Sequence, residues 1–265
     1  MKILFVASEK DEAGLNMAYT LIDTLEMRRV YENLYCKDEW ILKLVKNDVI
    51  YLDNIDKNSK YDLIIFLSKH TSTSGLSSLS VHPTGNPGPY ADMGGSPYKL
   101  APTNPKYMSS ALYYMHNYSR FKYPSYRVSL EVTHHGPTEL STPSFFIEIG
   151  SKRDDWLNKD LANINIQSIL DALSDPLEGV VAIGVGGPHY APKFSRLLLE
   201  EKYLIGHILS KHIVRYYLNE WIIKEALKKS CDASIVLIDK KGIDSESRRK
   251  LINLLTELDV DYIII

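Results

Sequence analysis

The sequence predicts an α/β fold, a mostly parallel or mixed twisted sheet with helices on both faces, and three observations predict it. Short apolar runs recur from end to end, at Met1–Ala7, Leu63–Leu67, Val180–Val185, Ile235–Ile238 and Val260–Ile265. Between them lie segments with apolar residues at helical spacing, Leu15–Leu25, Met108–Tyr118, Trp156–Leu173 and Arg248–Leu258. The 265 residues are 45% apolar and 24% charged, an ordinary balance for a chain that buries a core. Strands alternating with helices make a sheet that needs cover on both faces. The length suits one large domain, and residues 1–265 are read as a single α/β domain.

Taken in order, Met1–Ala7 is an uninterrupted apolar run that opens the sheet. Val49–Leu52 and Leu63–Leu67 are bounded by polar clusters and read as further strands. From Ser68 to Pro105 the composition turns to Ser, Thr, Gly and Pro. Six prolines, from Pro83 to Pro105, exclude a continuous helix there. A loop of that length inside a compact domain is usually functional or disordered, and His70, His82 and Asp92 within it favour function. Val128–Thr133 alternates, with Val128, Leu130 and Val132 on one face and Ser129, Glu131 and Thr133 on the other. Lys202–Leu209 reads as a strand carrying Gly206-His207. Val214–Lys228 reads as one amphipathic helix, and Val260–Ile265 as a buried closing strand.

Several classes are excluded. Cys36 and Cys231 stand far apart, which supports neither a disulfide framework nor a cysteine zinc ribbon. No apolar run is long enough to span a bilayer, and the opening residues do not resemble a secretory signal, so a cytoplasmic protein with no membrane partner is expected. Gly184-Val-Gly186-Gly187 lacks the third glycine of a dinucleotide fingerprint, and no P-loop or Gly-x-Ser-x-Gly elbow exists, so no nucleotide cofactor is implied. The net charge of -2 denies the chain a global attraction for nucleic acid; a polyanion would need a local basic patch.

The chemistry concentrates in Glu131-Val-Thr-His134-His135-Gly136-Pro137-Thr138 and the following Glu148. Adjacent strand residues face opposite ways, so His134 and His135 serve one centre only where the backbone turns, which Gly136-Pro137 permits. A third histidine, His189, follows a strand in the turn Gly187-Pro188-His189-Tyr190. His70 and His82 come from the long loop, and His207 from a strand. His116 and His212 have the contexts of surface residues. Imidazole and carboxylate suit zinc, which leaves a position open for water in catalytic sites. The candidate ligands are His82, His134, His135, His189 and Glu148; Glu131 or Glu148 can serve as general base. No linear zinc motif such as His-Glu-x-x-His is present.

Together, Ser68-Lys69-His70, Val81-His82-Pro83-Thr84-Gly85-Asn86, the Glu131–Thr138 string, Phe146-Ile-Glu148-Ile-Gly150, Gly186-Gly187-Pro188-His189-Tyr190-Ala-Pro192-Lys193-Phe194 and Gly206-His207 closely resemble the archaeal and plant type of D-aminoacyl-tRNA deacylase. The resemblance implies a phosphorylase/hydrolase-like α/β fold, one or two zinc ions, and hydrolysis of the ester between a D-amino acid and its tRNA. Lys69 and Lys193 stand where that family usually has arginine. Each keeps the charge and loses the bidentate fork. Expected substrate contacts are His70, His82, Asn86, Tyr190, Lys193, Phe194 and His207, with Tyr90, Tyr190 and Phe194 stacking on terminal bases. The rival readings are a metal-dependent peptidase or amidohydrolase on a related sheet, and a non-catalytic RNA-binding protein.

Overall fold

Six successive buried residues, Ile3–Ser8, form β1, and burial on both faces is what a central parallel strand requires. The computed structural model describes residues 1–265. α1 (Glu12–Leu25) follows, capped by Asp11, whose carboxylate accepts from Gly14 N. A three-stranded antiparallel segment comes next, β2 (Arg28–Tyr31), β3 (Leu34–Lys37) and β4 (Trp40–Val45). β5 (Leu63–His70) returns beside β1. Then come β6 (Ser78–His82), β7 (Gly85–Asn86), β8 (Lys99–Leu100), α2 (Pro105–Ser119), β9 (Arg127–Leu130) and β10 (Ser144–Gly150). These strands make an eight-stranded mixed sheet in the order β2-β3-β4-β1-β5-β10-β6-β9, with β7-β8 as a separate pair.

The rest of the chain builds a second sheet. α3 (Arg153–Trp156) and α4 (Lys159–Ser174) lead to β11 (Val180–Val185), α5 (Pro192–Leu199), β12 (Tyr203–Leu209), α6 (Lys211–Tyr217), α7 (Glu220–Lys229), β13 (Ile235–Ile238), α8 (Ser245–Glu257) and β14 (Tyr262–Ile264). Its four strands are parallel in the order β12-β11-β13-β14. One core runs through both sheets. Ile3, Phe5 and Ala7 of β1 pack with Met17 of α1, Met108 of α2 and Ile169 of α4, and the same cluster takes in Ala182 of β11 and Ile205 of β12. The alternate residues Leu4 and Val6 face the other way, against Phe66 and Phe146. No helix is long and apolar enough to cross a membrane.

The α/β class with a mixed sheet holds, its strands divided between two sheets, and several finer expectations are corrected. Val49–Tyr51 is a single 3-10 turn, not a strand. The segment 68–105 is not one loop: β6 lies inside it and pairs with β10 and β9, its serines Ser78 and Ser80 fully buried. Val214–Lys228 is two helices, because Leu218 leaves helical backbone and Asn219 caps a new start by accepting from Ile222 N. β14 is an edge strand with exposed residues, not a buried one.

Candidate functional site

Five histidines and two glutamates come together where the two sheets meet. His70 ends β5 and His82 ends β6, on either side of β10, which carries Glu148 in its middle. In register, Glu148 lies opposite Ser68 and Ser80, while His70 faces Gly150 and His82 faces Phe146. Gly150 has to be glycine: a Cβ there would stand 2.7 Å from the His70 Cβ. Glu131 follows β9, its backbone N–H donating to Val81 O. His189 follows β11 through Gly186 and Gly187, both at positive φ, and Val132 N donates to His189 O at 2.9 Å, joining the two sheets. The turn that the two-histidine motif needs is present. His135 has φ +46°, and this reversal leaves the His134 and His135 rings 4.4 Å apart on one centre.

The floor is apolar. His82 stacks on Phe146 at 5.2 Å, and Phe146 stacks on Phe66 at 4.7 Å. Below the turn, Asp53 accepts from Thr138 N and Glu139 N, and Asp56 from Ser141 and Thr142, which fixes the chain leaving the motif. The cavity measures about 310 Å³. Besides His70, His134, His135, His189 and Glu148 it is bounded by Asp11, Ser68 and Lys69 and by Val49, Ile50 and Met93, while His82 and Glu131 are fully buried and do not line it.

Charge is tightly balanced inside. His70 Nδ1 lies 3.1 Å from both Glu131 Oε1 and Glu148 Oε2. Burial pushes its pKa down, but those two carboxylates outweigh burial and hold it at about 9. Burial also opposes the charged form of His82, and the same carboxylates again raise it. Burial raises Glu148, yet His70 and His82 bring it down to about 2. Glu131 is depressed as well: the neighbouring His189 ring overcomes its burial. Burial together with the positive field of His82 drives His134 well below the ordinary imidazole value and His135 to about 3.

The donor set fits a metal ion. Nδ1 of His82, His134 and His135 each lies on a backbone carbonyl, of Pro83, Val132 and Gly136, at 3.2, 2.8 and 2.7 Å. A carbonyl only accepts, so each Nδ1 carries a proton; the depressed His134 and His135 keep a lone pair on Nε2, and a cation would have to displace the second proton of His82 to use its Nε2. His82 Nε2 is buried without an aligned hydrogen-bond partner, and so are both oxygens of Glu131. His70 Nδ1 and His189 Nε2 stand 3.1 and 2.8 Å from the two Glu131 oxygens and balance their charge, while the carboxylate's lone pairs stay available to a cation. Three donor groups have ligand atoms within 4.8 Å of one another: His82, His134 and His135; His70, Glu131 and His189; and His82, Glu131 and Glu148. Imidazole with carboxylate is the zinc-type set.

Not every residue expected at the site is there. Tyr190 joins it, its hydroxyl 3.0 Å from His70 Nε2. Phe194 is fully buried beneath Gly184 on α5, so it offers no face to a base. His207 is fully buried and bonded to Thr133 Oγ1 and Ala101 O, where it ties β12 to the site's backing and does not line the cavity. Asn86 donates to Gly94 O and Ser96 O and thereby shapes the loop. Lys193 is engaged with Asp239 and with Ile265 O. Conversely, the structure adds Asp11. It caps α1 and accepts from Lys69 N at 2.8 Å, and a lone aspartate before a helix carries no sequence signal beyond capping.

Comparisons with known proteins agree in direction. A family model described as D-aminoacyl-tRNA deacylase matches residues 57–263. The chain is 36% identical over 263 residues to a D-aminoacyl-tRNA deacylase of Archaeoglobus fulgidus, spanning 96% of this chain and 93% of that one. It is 34% identical over 266 residues to a protein of the same name from Thermoplasma volcanium, spanning 100% of both. A crystal structure of a conserved protein of unknown function superposes with a TM-score of 0.90 at 31% identity, covering 99% of this chain and 95% of that chain.

Proposed function

The chain belongs to the D-aminoacyl-tRNA deacylase family, and from that premise we propose that the histidine–carboxylate cavity hydrolyses the ester joining a D-amino acid to tRNA, with one or two zinc ions bound. The observation that carries this reading is a pair of donor groups that share His82, one with His134 and His135 and the other with Glu131 and Glu148. The imidazole Nε2 atoms would hold zinc, and Glu148 would balance its charge. Zinc bound there supplies Lewis acidity toward water and toward an ester carbonyl.

The chain's own residues do the rest. Glu131 is sealed from solvent, so the attacking water gives its proton to the half-exposed His189 ring, whose Nε2 is held 2.8 Å from Glu131 Oε2, and the same ring passes that proton to the leaving ribose oxygen. One water is consumed, and free amino acid and free tRNA are released. Tyr190 and the two glutamates hold the His70 ring in place. A cavity of about 310 Å³ is enough for the aminoacyl group alone, so the nucleoside lies at its mouth. The apolar wall of Val49, Ile50 and Met93 faces the amino-acid side chain, and the polar wall of Asp11 and Ser68 faces its ammonium group. With the carbonyl fixed, only one hand satisfies both walls.

The test offers purified protein of measured metal content matched D- and L-aminoacyl-tRNAs. Release of the D-amino acid at least about 100-fold faster than the L-form supports the reading. Equal rates, or no release by zinc-loaded protein, refute it.

A further inference from the structure

A basic hollow lies behind the Gly186-Gly187 turn and takes no part in the chemistry above. The chain is net negative, yet Lys211, Arg215 and Lys241 line a depression of about 450 Å³ together with His212 and Tyr216. Its one carboxylate, Asp244, is spent on capping α8, accepting from Ser247 N and Oγ at 2.9 and 2.7 Å. The three cations make no salt bridge, whereas nearby Lys193 and Lys250 are neutralised by Asp239 and Glu246.

Two connections tie this hollow to the site. Lys211 N donates to Gly187 O, and Gly187 N donates to Gly242 O, both at 3.1 Å, so the rim of the hollow is the back of the turn that delivers His189. An aromatic row then leads to the cavity mouth. Tyr216 lies 4.9 Å from His212, His212 5.7 Å from Tyr217, and Tyr217 6.4 Å from Tyr90. Tyr90 stands just before Met93, which lines the cavity. Tyr90 and Tyr216 are 66% and 58% exposed, which leaves ring faces free to stack. Arg215 lies over the Tyr216 ring at 5.3 Å, its charge held beside the stacking surface.

We propose that this strip docks the unpaired 3′ strand of tRNA, with phosphates on Lys211, Arg215 and Lys241, bases on Tyr216 and Tyr90, and the terminal aminoacyl-adenosine entering past Met93. The assignment rests on the deacylase reading for the identity of the strand. Single-stranded nucleic acid is held by this combination, a cationic groove following the backbone and aromatic faces for successive bases. The other large groove is a poorer fit: Lys57, Lys99 and Lys229 lie there among Asp56, Glu139 and Glu225, and Lys99 is paired with Glu139.

The experiment titrates uncharged tRNA, and the same tRNA trimmed of its unpaired 3′ nucleotides, against the full chain by fluorescence anisotropy over a salt series. The variants are Arg215→Ala with Lys241→Ala, Tyr216→Ala, and Lys229→Ala as a control in the other groove. The double variant is expected to bind roughly tenfold more weakly, with a salt slope reduced by on the order of 0.7 for each phosphate that is no longer neutralised. Trimmed tRNA should bind the parent with a similarly weakened affinity, and the control should match the parent. Turnover of D-aminoacyl-adenosine, which has no phosphate, should be unchanged in every variant. Equal affinity in the double variant, undiminished binding of trimmed tRNA, or a parallel loss of turnover on the adenosine ester would overturn the assignment. Should the parent fail to hydrolyse the adenosine ester, the deacylase reading falls, and the tRNA titration still decides the docking strip.

Discussion

Nε2 of His189 lies 2.8 Å from Oε2 of Glu131, one ring half in solvent and one carboxylate with no solvent exposure at all. The two side chains come from different sheets, Glu131 from just beyond β9 and His189 from just beyond β11. Their meeting links a buried carboxylate to solvent through one ring.

His189→Gln should keep the fold and the metal, because the three backbone-fixed imidazoles do not depend on it. kcat should fall by about 10²–10⁴-fold. Added free imidazole should restore part of the rate, since the site of the missing ring is open to solvent. Titrating imidazole against the variant checks this; no rescue together with lost metal would make His189 a ligand instead of a proton carrier.

Zinc bound at these groups should stabilise the fold, and stripping it should lower the unfolding midpoint. His82 Nε2 and the Glu131 oxygens have no aligned hydrogen-bond partners within the protein, so a cation that binds only the folded state adds stability by mass action, about 2.7 kcal/mol at a hundredfold excess over its Kd. Thermal unfolding with and without chelator, alongside metal analysis, measures this. An unchanged midpoint in metal-stripped protein would count against a zinc centre.

His207→Ala should act on stability and leave substrate recognition alone. Its ring is fully buried and bonds Thr133 Oγ1 and Ala101 O at 2.9 and 3.0 Å. Truncation leaves Ala101 O without its donor, takes one of two partners from Thr133 Oγ1 and opens a cavity, at a cost of about 2–5 kcal/mol. Denaturant unfolding should show that loss while KM of the remaining folded enzyme stays near the parent value. A raised KM with full stability would put His207 in the substrate site.

Asp56 should make stability depend on acid pH. Burial raises its pKa, but donors from Ser141 and Thr142 outweigh burial and leave it below the ordinary 3.8. A depressed folded value means that the contribution is fully present above the unfolded value and disappears as pH falls through the folded one. Asp56→Asn should therefore be less stable than the parent near neutral pH, and the gap should close below about pH 4. A gap independent of pH would show that the charge is not what matters.

How much of this is legible in the sequence depends on burial and on partners. β11 and β13 match the apolar runs Val180–Val185 and Ile235–Ile238 residue for residue, since a strand buried by its neighbours has no reason to carry polar side chains. The hairpin strands Arg28–Tyr31 and Leu34–Lys37 escape sequence reasoning because the first is exposed, the second is only half-buried, and neither alternates. β6 is hidden because its serines imitate loop composition while lying inside the sheet. The histidines and glutamates of the cavity stand out as an unusual combination, but which of them face one another is decided by cross-strand register, which a single chain does not display. Phe194 and His207 sit inside conspicuous strings and still belong to the core, for proximity in sequence to a site residue says nothing about which way a side chain points.

The most direct measurement is single-turnover hydrolysis of D-aminoacyl-tRNA by Glu131→Gln at saturating enzyme. The substitution keeps shape and volume and removes only the buried charge beside His189. The rate should drop by at least about 100-fold with tRNA affinity unchanged. A rate within about threefold of the parent would contradict a hydrolytic centre built around Glu131.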